Sequence, residues 1–523
     1  MNKNKISIRK ALCLLALAPA ALLSACTGSF EDINTDPYAA GKDDMSNDNY
    51  IVSSILTGMQ GWVIPLDVNT HQFTDIVLGG ALGGYTADSN PGLSTRIAIF
   101  NPTNDWTRVM LIRVIPEIYT AYNKLKVNSN DEVALALASV IRVSAVHRVT
   151  DTYGPIPYSQ IGADDALTSP YDSQEQVYNQ LFTELNAALE VLRAHSAESI
   201  KATSDKIYSG NLSKWVRYAN SLKLRMAMRL VYVIPDQAKT WAEEAVRDGV
   251  IESAEESATL ASYGSIQVFN PLEEVWNAYA DTRMGATMDA YLNGYSDPRL
   301  ATYFKPCEDG KYHGVRNGIA AITKEYYLGM SVPNVDKTTP VRWLMSSEVA
   351  FLRAEGAMRG WAMGGDAKTF YNKGIELSFL ENGLSAAQAA TYAESEAKPA
   401  AFEDASSSTT AYSIGAPSQI TVKWNDGADQ EEQLERIITQ KWIAMFPNGQ
   451  EAWSEFRRTG YPKIFSIVHD RSNGTVDVNE QIRRMTFPRS EYSNNRAALN
   501  RAIRLLGGPD QGSTKLWWDK KNN

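Results

Sequence analysis

Eight residues of this 523-residue chain have side chains suited to ligand binding and lie beside loop signals. The chain has 25 Tyr and 12 Trp, and each pairs a flat apolar ring with one polar group, which suits sugar rings and peptides. A ligand pocket combines such rings with a few amide, guanidinium or imidazole groups. Each ring could equally belong to the packed core. The candidate ligand contacts, strongest three first, are Tyr85, Trp276, Tyr312, Trp62, Asn101, Tyr279, Arg283 and His313.

The candidates lie at the edges of irregular stretches, and loops on a rigid scaffold commonly carry binding residues. Trp62 and Tyr85 flank a glycine-rich stretch, and Trp276 and Tyr279 precede a second irregular region. Tyr312 follows an Asp-Gly turn signal. These positions predict a binding surface on loops that project from a scaffold.

Catalytic and metal-binding motifs are not found in the sequence. There is no H-E-x-x-H among the five His, and no G-x-S-x-G elbow. Gly79–Gly84 has the spacing of a phosphate-binding loop, but Tyr85-Thr86 stands where the loop needs Lys followed by Ser or Thr. A glycosidase needs only two well-spaced carboxylates, and 60 Asp and Glu leave that possibility open. We predict a protein that is not an enzyme, with no cofactor and no metal site.

The N-terminus indicates export and a lipid anchor. Residues 1–25 have basic residues followed by an apolar run that is shorter than the roughly 20 residues needed to span a bilayer. The run ends in Leu-Ser-Ala-Cys, which resembles a bacterial lipobox with Cys26 as the acylated first residue of the mature chain. The alternative is an ordinary secretory signal beside an incidental Cys26. Residues 26–47 are polar and rich in turn formers, which predicts a lipid-anchored tether.

The charge of the chain argues against two classes of binding partner, and its cysteine content excludes an intrachain disulfide. The net charge is −9, and no Lys/Arg block follows the signal, which argues against binding to nucleic acid and against adhesion to anionic lipid. Besides Cys26 the mature chain keeps only Cys307, so an intrachain disulfide is excluded. Cys307 is either a buried structural residue or a reactive thiol.

The remaining chain has mostly helical periodicity. Val177, Leu181, Leu185 and Leu189 recur every four residues, which predicts an amphipathic helix, and Asp131–Val149 is apolar nearly all round, which predicts a buried one. Length alone would favour two to four domains. Repeated helix pairs predict an all-α fold, a tetratricopeptide-like helix-pair scaffold with long inserted loops and little β structure.

Three stretches interrupt the helical pattern and are predicted to be loops. Gly79–Asn101 holds two Gly-Gly pairs and an Asn-Pro-Gly, and Tyr263–Thr339 mixes Gly, Pro and aromatics with short strand-like runs. Ala389–Asp429 is rich in small and polar residues and is interpreted as a surface excursion. Loops of this length inside a helical protein are usually functional or disordered.

Four charged residues are interpreted as scaffold. Asp151 precedes a Gly-Pro-x-Pro turn, and we expect it to cap that turn rather than to act as a general acid. Glu451, Glu455 and Arg458 lie within i, i+3 and i+4 reach on one helix, where ion pairs would support the helix.

An ordered series of motifs resembles one protein family. The segments resemble SusD/RagB motifs and run from residue 30 to residue 495, in the order of the family. They are Phe30–Pro37 (FEDINTDP), Val149–Tyr158 (VTDTYGPIPY), Trp215–Arg225 (WVRYANSLKLR), Ser296–Leu300 (SDPRL), Glu348 with Ala354-Glu355, Gln440–Phe446 (QKWIAMF), Gln450–Pro462 (QEAWSEFRRTGYP), and Arg484–Pro488 (RMTFP) with Glu491 and Asn494.

The resemblance implies a single domain over residues 48–523, built on tetratricopeptide-like repeats. It implies a lipid-anchored protein on the outer face of an outer membrane, which captures an oligosaccharide and delivers it to a SusC-like TonB-dependent transporter. A peptide-binding lid of the same kind of transporter, a surface glycan hydrolase and a pure interaction scaffold are the alternatives. The family's ligand residues form no fixed motif, so none is carried over by position, and ligand identity and calcium binding stay open.

Overall fold

Helices form most of the chain that the computed structural model describes, which comprises residues 50–89, 97–101, 109–162, 168–262, 267–319, 324–406 and 412–521. The predicted signal peptide, Cys26 and the whole tether lie outside the described residues. Val52–Asn523 form one compact unit. The α-helices are α1 (Tyr50–Gln60), α2 (Val68–His71), α3 (Ile115–Asn128), α4 (Glu132–Tyr153), α5 (Gln174–Ala194), α6 (Leu212–Arg229), α7 (Pro235–Arg247), α8 (Pro271–Trp276), α9 (Ala286–Gly294), α10 (Leu300–Tyr303), α11 (Glu325–Leu328), α12 (Ser346–Met358), α13 (Ala367–Leu380), α14 (Ala386–Ala393), α15 (Gln430–Ala444), α16 (Gly449–Thr459), α17 (Arg489–Asn494) and α18 (Arg496–Leu506).

The long helices pack as successive neighbours. Helices α3 to α7 contact each other in chain order, α12 packs on α13, and α15 packs on α12, α13 and α16. Local sequence sets where they begin: Ser173 and Gln176 form a capping box before α5, and Asp131 caps α4. The prediction of an all-α helix-pair scaffold with little β structure is confirmed.

Helix α4 lies at the centre of the first group of helices. It is long and apolar enough to cross a membrane, but most of it is buried inside the protein, as predicted for a core helix. Close packing of α12 and α13 depends on Gly374, where a Cβ atom would lie 2.7 Å from the Phe351 ring.

Short strands and tight helical segments connect the scaffold. Strands β1 (Thr86–Asp88) and β5 (Thr282–Met284) are antiparallel, as are β2 (Ile156–Pro157) with β3 (Tyr171–Asp172) and β4 (Ala258–Leu260) with β6 (Val341–Leu344). A π-helix covers Gln72–Gly80 and another covers Met110–Val114; single 3-10 turns cover Ile97–Ile99, Ala202–Ser204 and Ala254–Glu256.

The glycine-rich stretch that begins at Gly79 is partly helical, so its prediction as a loop is wrong in its first part. The reason is a tertiary contact: the π-helix lies against the start of α16, and a Cβ atom on Gly79 would be 2.3 Å from the Gln450 nitrogen. Gly449 shows the reciprocal approach, with a hypothetical Cβ 2.2 Å from the Gly80 nitrogen. Glycine is needed here because two backbones touch.

The other two predicted loops differ from one another. The stretch Tyr263–Thr339 contains four short helices, α8 to α11, besides strand β5, so it is more ordered than expected. After α14, the described residues up to Asp429 form no helix and only one isolated strand bridge, between Phe402 and Ile414, as the sequence indicated.

Charged side chains fill part of the core between the helices. Glu455 accepts hydrogen bonds from Arg229 (2.5 Å), Lys441 (2.9 Å) and Arg458 (2.7 Å), and all four side chains are buried. The predicted Glu455–Arg458 pair within one helix is confirmed. We call this group the core ion network; its members are Arg225, Arg229, Glu348, Glu355, Lys441, Glu451, Glu455 and Arg458.

Glu451 joins the core ion network through a neighbouring helix. Its carboxylate pairs with Arg229 of α6 rather than with a residue of its own helix. Burial tends to raise the pKa of Glu451, but the positive charges of Arg229 and Arg225 outweigh it and lower that pKa to about 2.

Asp151 is a buried hydrogen-bond acceptor inside α4, so the prediction that it caps the following turn is wrong. The chain stays helical to Tyr153, and the Asp151 carboxylate accepts from the Tyr178 hydroxyl (2.7 Å) and Trp518 Nε1 (2.8 Å). Burial raises the pKa of Asp151, and the charge of Arg229 opposes that rise.

Candidate functional site

The inserted residues 267–339, which we call the loop region, are tied to the scaffold by strand pairing and by single side chains. Strand β5 pairs with β1, and the Gly285 nitrogen donates to the Tyr85 carbonyl. Ala87, Val315, Ile319 and Tyr327 form a small apolar cluster, separate from the helix-pair core. Other apolar side chains of the loop region, such as Met284, Tyr291 and Phe304, are buried as well, so polar contacts add to apolar packing in holding its shape.

Trp276 is half-buried at the end of α8, and its indole is held from two sides. Its Nε1 donates to the Val335 carbonyl at 2.9 Å, and the Lys305 ammonium lies 4.5 Å from the ring centroid. Lys305 also lies 3.6 Å from Asp336. A partly exposed indole with a fixed orientation can stack on a ligand ring, and the neighbouring ammonium can donate a hydrogen bond to the same ligand.

Tyr279 lies one turn beyond Trp276 and is also half-buried. Its carbonyl accepts from Lys324 Nζ, which lies 3.5 Å from Asp281 Oδ1. Asp281 in turn accepts from Gln72 Nε2 at 2.6 Å, which links this segment to the π-helix. The Tyr279 backbone is thus fixed while its ring stays partly accessible.

Tyr312 and His313 form a second half-buried pair in the loop region. The Tyr312 carbonyl accepts from Asn293 Nδ2 (3.2 Å), and His313 Nε2 lies 2.8 Å from Asp309 Oδ2. The backbone nitrogen of His313 donates to Ser331 Oγ. Since Lys305 N donates to the Val332 carbonyl, the segment 331–335 connects this pair with Trp276.

Arg283 is buried, so the prediction that it contacts a ligand is corrected. Its guanidinium donates to the carbonyls of Tyr327 (3.0 Å) and Thr282 (2.7 Å) and has a long contact to Leu328 (3.4 Å). Burial lowers the pKa of Arg283, and Asp281 partly opposes this. Arg283 holds α11 in position and is a structural residue.

Tyr85, first among the candidates, is also inside the protein. It is 1% exposed, its hydroxyl donates to the Trp442 carbonyl, and its ring lies 5.2 Å from the Trp442 ring and 5.4 Å from that of Phe446. Burial raises its pKa. Tyr85 is therefore part of the packed core, and the prediction that it contacts a ligand is wrong.

The last two candidates lie on other segments. Trp62 follows α1, is half-buried and has the exposed Arg113 guanidinium 6.0 Å from its ring centroid. Asn101 is half-buried and follows the turn Ile97–Ile99, where the Ile99 carbonyl accepts from the Arg471 nitrogen. These contacts place neither residue against Trp276.

Sequence reasoning missed the side chains that surround the aromatic rings. The Lys305 ammonium lies against the Trp276 ring, and Lys324 donates to the Tyr279 backbone carbonyl. Both lysines are distant in sequence from their partners, and no local pattern marks them. Phe269 (57% exposed) and Leu328 (44% exposed) add apolar surface to the loop region. An unusual exposed Phe between polar residues is a weak signal, because single exposed apolar residues are common.

The buried acid Asp289 of the loop region serves the fold. Burial raises the pKa of Asp289, but its carboxylate is enclosed by the Gly314 nitrogen (2.7 Å) and Asn293 Nδ2 (2.7 Å). Within the described part of the chain, no group of three His, Cys, Asp or Glu is arranged to hold a metal ion. The accessible groups include aromatic rings, ammonium groups and amides, which suit ligand binding, and also the exposed carboxylates of Asp309 and Asp336.

The helix-pair scaffold carries an insertion with partly accessible aromatic rings, an arrangement suited to ligand binding, and comparison with known proteins gives the family. The family model SusD-like, described as Susd and RagB outer membrane lipoprotein, matches residues 32–519. The chain therefore belongs to the SusD-like family of nutrient-binding outer-membrane lipoproteins. A search of curated proteins finds no match.

Solved structures agree with this membership. A SusD homolog from Bacteroides uniformis is 44% identical with a TM-score of 0.86, covering 91% of this chain and 100% of its own. A homolog from Bacteroides thetaiotaomicron is 40% identical (TM-score 0.85; 90% and 99% covered). A chitin-binding SusD homolog from Flavobacterium johnsoniae is 35% identical (TM-score 0.84; 90% and 99% covered).

Proposed function

We propose that this protein binds an oligosaccharide at the cell surface and delivers it to a SusC-like TonB-dependent transporter in the outer membrane, without catalysing a reaction. The observation that carries the glycan preference is the half-exposed Trp276 indole, whose orientation is fixed by Val335 and whose ring is flanked by the Lys305 ammonium. Sugar rings stack on such surfaces, while lysine and amide groups bind their hydroxyls.

A relative supports glycan over peptide as the ligand. The Flavobacterium johnsoniae homolog is chitin-binding and aligns over 90% of this chain, so the same scaffold carries a carbohydrate site in at least one member. We propose Trp276, Tyr279, Tyr312 and His313 as ligand contacts within the loop region, with Trp62 and Asn101 as contacts from neighbouring segments.

Attachment to the membrane is part of the proposal. Residues 1–25 are removed as a signal peptide, Cys26 carries the lipid, residues 26–47 form the tether, and residues 48–523 act as one binding domain. The family's description as outer membrane lipoproteins supports this arrangement. The lipid on Cys26 would keep the domain at the membrane surface.

Two alternatives have specific signatures. A peptide-binding lid of the same transporter would use the same rings, since Tyr and Trp also bind peptides. A surface glycan hydrolase would need an accessible acid pair, whereas the loop-region Asp289 is enclosed by hydrogen bonds.

The test is a binding screen of the mature chain with Cys26 replaced by Ala, against polysaccharides, chitin oligosaccharides and peptides. Affinity electrophoresis and calorimetry measure binding, and chromatography of the mixtures measures released products. We expect Trp276→Ala to weaken binding of the retained glycan by about tenfold, as for an aromatic anchor. The matched control is Trp361→Ala, a half-buried Trp just after α12, outside the loop region.

Each outcome assigns the protein to one class. Glycan binding that is lost in Trp276→Ala but kept in Trp361→Ala supports the proposal. Retention of peptides alone indicates the peptide-binding branch. Release of short saccharides would show an enzyme and would overturn the proposal.

A further inference from the structure

The segment between α14 and α15 takes no part in the proposed binding site, although loops of this length in a helical protein are usually functional or disordered. Contacts fix its described residues in place. The Tyr371 hydroxyl of α13 donates to the Val422 carbonyl, and the backbone nitrogen of Lys423 donates to the Ser395 carbonyl at 2.9 Å, which joins the two ends of the segment. The described part of the segment therefore has a fixed shape.

A cavity of about 860 Å³ lies between this segment and α15, and we call it the α15 cavity. Its lining comes from residues 396–427 of the segment and from Glu432, Glu435 and Arg436 of α15. These three share one face of the helix, because the second and third lie three and four residues beyond the first. The lining residues all lie outside the loop region. The volume is within the range of pockets that enclose a small ligand, about 300–1,000 Å³.

The buried Arg436 gives this cavity a hydrogen-bond donor without an acceptor. Arg436 Nε donates to the Thr421 carbonyl (3.1 Å), and Nη2 donates to Thr421 Oγ1 (3.2 Å) and to Glu432 Oε1 (2.9 Å). The side chain is 3% exposed, and its Nη1 has no hydrogen-bond partner among the described residues. A buried donor without a partner costs free energy. An acceptor atom in the cavity that Arg436 lines would therefore satisfy a group that the protein leaves unpaired.

The chemistry of the lining favours a neutral ligand that is rich in hydroxyl groups. Every exposed residue of the lining is polar or glycine, so an apolar ligand would gain little from it. Three cations and four carboxylates line the cavity, so a ligand with a strong charge of either sign would be repelled by one of the two sets. Amide, carboxylate and ammonium groups together suit hydroxyls, which both donate and accept hydrogen bonds.

Two exposed residues of the lining have little part in the fold. Among the described residues, Glu396 has no ion-pair or hydrogen-bond partner, and Gln419 Oε1 has only a long contact, 3.4 Å, with Lys398 Nζ. By contrast, Glu435 Oε1 accepts from Ser418 Oγ at 2.5 Å. Glu396 and Gln419 therefore keep their hydrogen-bonding capacity for a ligand and can be replaced without loss of structure.

We propose that the α15 cavity is a second glycan-binding site, which takes a neutral oligosaccharide and is separate from the loop region. One sugar hydroxyl accepts from Arg436 Nη1, and others bond to the Glu396 carboxylate and the Gln419 amide. The proposal rests on the proposed glycan-binding function.

The second site binds more weakly than the loop region. Trp424 lines the cavity but is 8% exposed, and its Nε1 donates to Asp426 Oδ1 at 2.9 Å, so this ring is not accessible for stacking. A weak site on the same domain still matters for a long polysaccharide. Once one stretch of the chain is bound, a second stretch binds at a raised effective concentration.

The experiment uses the mature chain with Cys26 replaced by Ala in affinity electrophoresis. Each gel contains one neutral polysaccharide (starch, xylan, galactomannan or glycol chitin) or the acidic polygalacturonate. Trp276→Ala weakens the loop region, and Glu396→Ala with Gln419→Ala is added to it. Each lost hydrogen bond weakens binding about fivefold, so we expect the added pair to weaken the remaining binding of the retained neutral polysaccharide about 25-fold. Arg436→Ala is avoided because it removes three hydrogen bonds of the fold.

A matched control replaces the same residue types elsewhere. Glu190→Ala with Gln237→Ala, exposed residues of α5 and α7, is added to the same Trp276→Ala background and should leave the remaining binding unchanged. Equal weakening by both pairs would overturn the proposal by showing an effect of charge or composition alone. Circular dichroism checks that every variant is folded.

The remaining outcomes separate this proposal from the proposed function. If Trp276→Ala abolishes binding, or if the added Glu396 and Gln419 substitutions change nothing, the second site is overturned while the loop region stands. Retention by polygalacturonate alone also overturns the second site, because its ligand is neutral, but leaves a glycan-binding protein. If no polysaccharide retards the unmodified chain while peptides bind, both proposals fail.

Discussion

The helix-pair core and the loop region are held together in different ways. In the core, carboxylates with several charged partners lie between helices, as where Glu455 accepts from Arg229, Lys441 and Arg458. In the loop region, single side chains bond to backbone carbonyls, as Arg283 does to Tyr327 and Trp276 does to Val335. We therefore expect the loss of one charge to destabilise the whole core, whereas the loss of one such hydrogen bond in the loop region should act locally.

The largest effect should come from breaking the core ion network at its most connected carboxylate. Glu455→Ala leaves three buried cations without their shared partner, and such a loss costs about 3–5 kcal/mol of unfolding free energy. Urea denaturation followed by circular dichroism measures it. Glu252→Ala, which removes a partly exposed pair with Arg353, is the control and should cost less than about 1 kcal/mol. A loss for Glu455→Ala no greater than for the control would contradict the importance of the network.

Acid should weaken the core through Glu451. Its pKa is lowered from 4.5 to about 2 in the folded protein, so the unfolded chain takes up the proton first as the pH falls. Stability from this group is complete above pH 4.5 and is lost as the pH falls towards 2, by about 3 kcal/mol in total. Thermal unfolding between pH 7 and 3 measures the effect. Glu451→Gln should have a flatter pH dependence, and an equally steep one would contradict the assignment.

Backbone contact between the π-helix Gln72–Gly80 and α16 gives the next effect. Gly79→Ala places a methyl group against the Gln450 nitrogen, 2.3 Å away, and should cost about 1–3 kcal/mol or more. Gly58→Ala is the matched control, because nothing lies within 4 Å of a Cβ there and alanine favours a helix. Denaturant midpoints of the two variants measure the difference, and shifts in the same direction would be unexpected.

A local effect is expected in the loop region. Arg283→Ala removes the hydrogen bonds that the charged guanidinium donates to the carbonyls of Tyr327 and Thr282, and should cost about 1–3 kcal/mol. Hydrogen exchange should become faster for α11 and β5, while α4 keeps its protection. Uniformly faster exchange over both regions would show that the loop region and the core unfold as one unit.

The smallest effect concerns the orientation of one ring. Trp276→Phe keeps an aromatic surface but removes the hydrogen bond to Val335, so glycan binding should weaken only severalfold, corresponding to about 1 kcal/mol. Calorimetry with the glycan found in the screen measures the change. Unchanged binding would mean that the ring does not need this hydrogen bond to stay in position.

The same contrast explains how much could be predicted from the sequence. The helix pairs were predictable because apolar residues recur with helical spacing and local caps such as Ser173 mark the helix starts. Tyr85 was assigned wrongly because its partner, the Trp442 carbonyl, lies 357 residues away. The Lys305 contact with Trp276 was missed for the same reason: no local pattern encodes which cation reaches which ring.

Asp151 shows that a turn signal in the sequence does not identify the role of the carboxylate beside it. The Gly and Pro residues that follow it do end the helix, but only after Tyr153, and the partners Tyr178, Arg229 and Trp518 come from three distant segments. A carboxylate beside a turn signal has the same local sequence whether it caps the turn or serves as a buried acceptor. Only the tertiary structure distinguishes the two roles.

The link between Gln72 and Asp281 has a consequence for the time course of folding. These residues are 209 positions apart in the chain, and closing so long a loop is entropically costly before other contacts hold its ends together. Helices such as α4 and α5 are sequence neighbours and can pair early. We therefore expect the contact between Gln72 and Asp281 to form after α4 and α5 have paired, so that the neighbouring Tyr279 takes its final position later than these two helices.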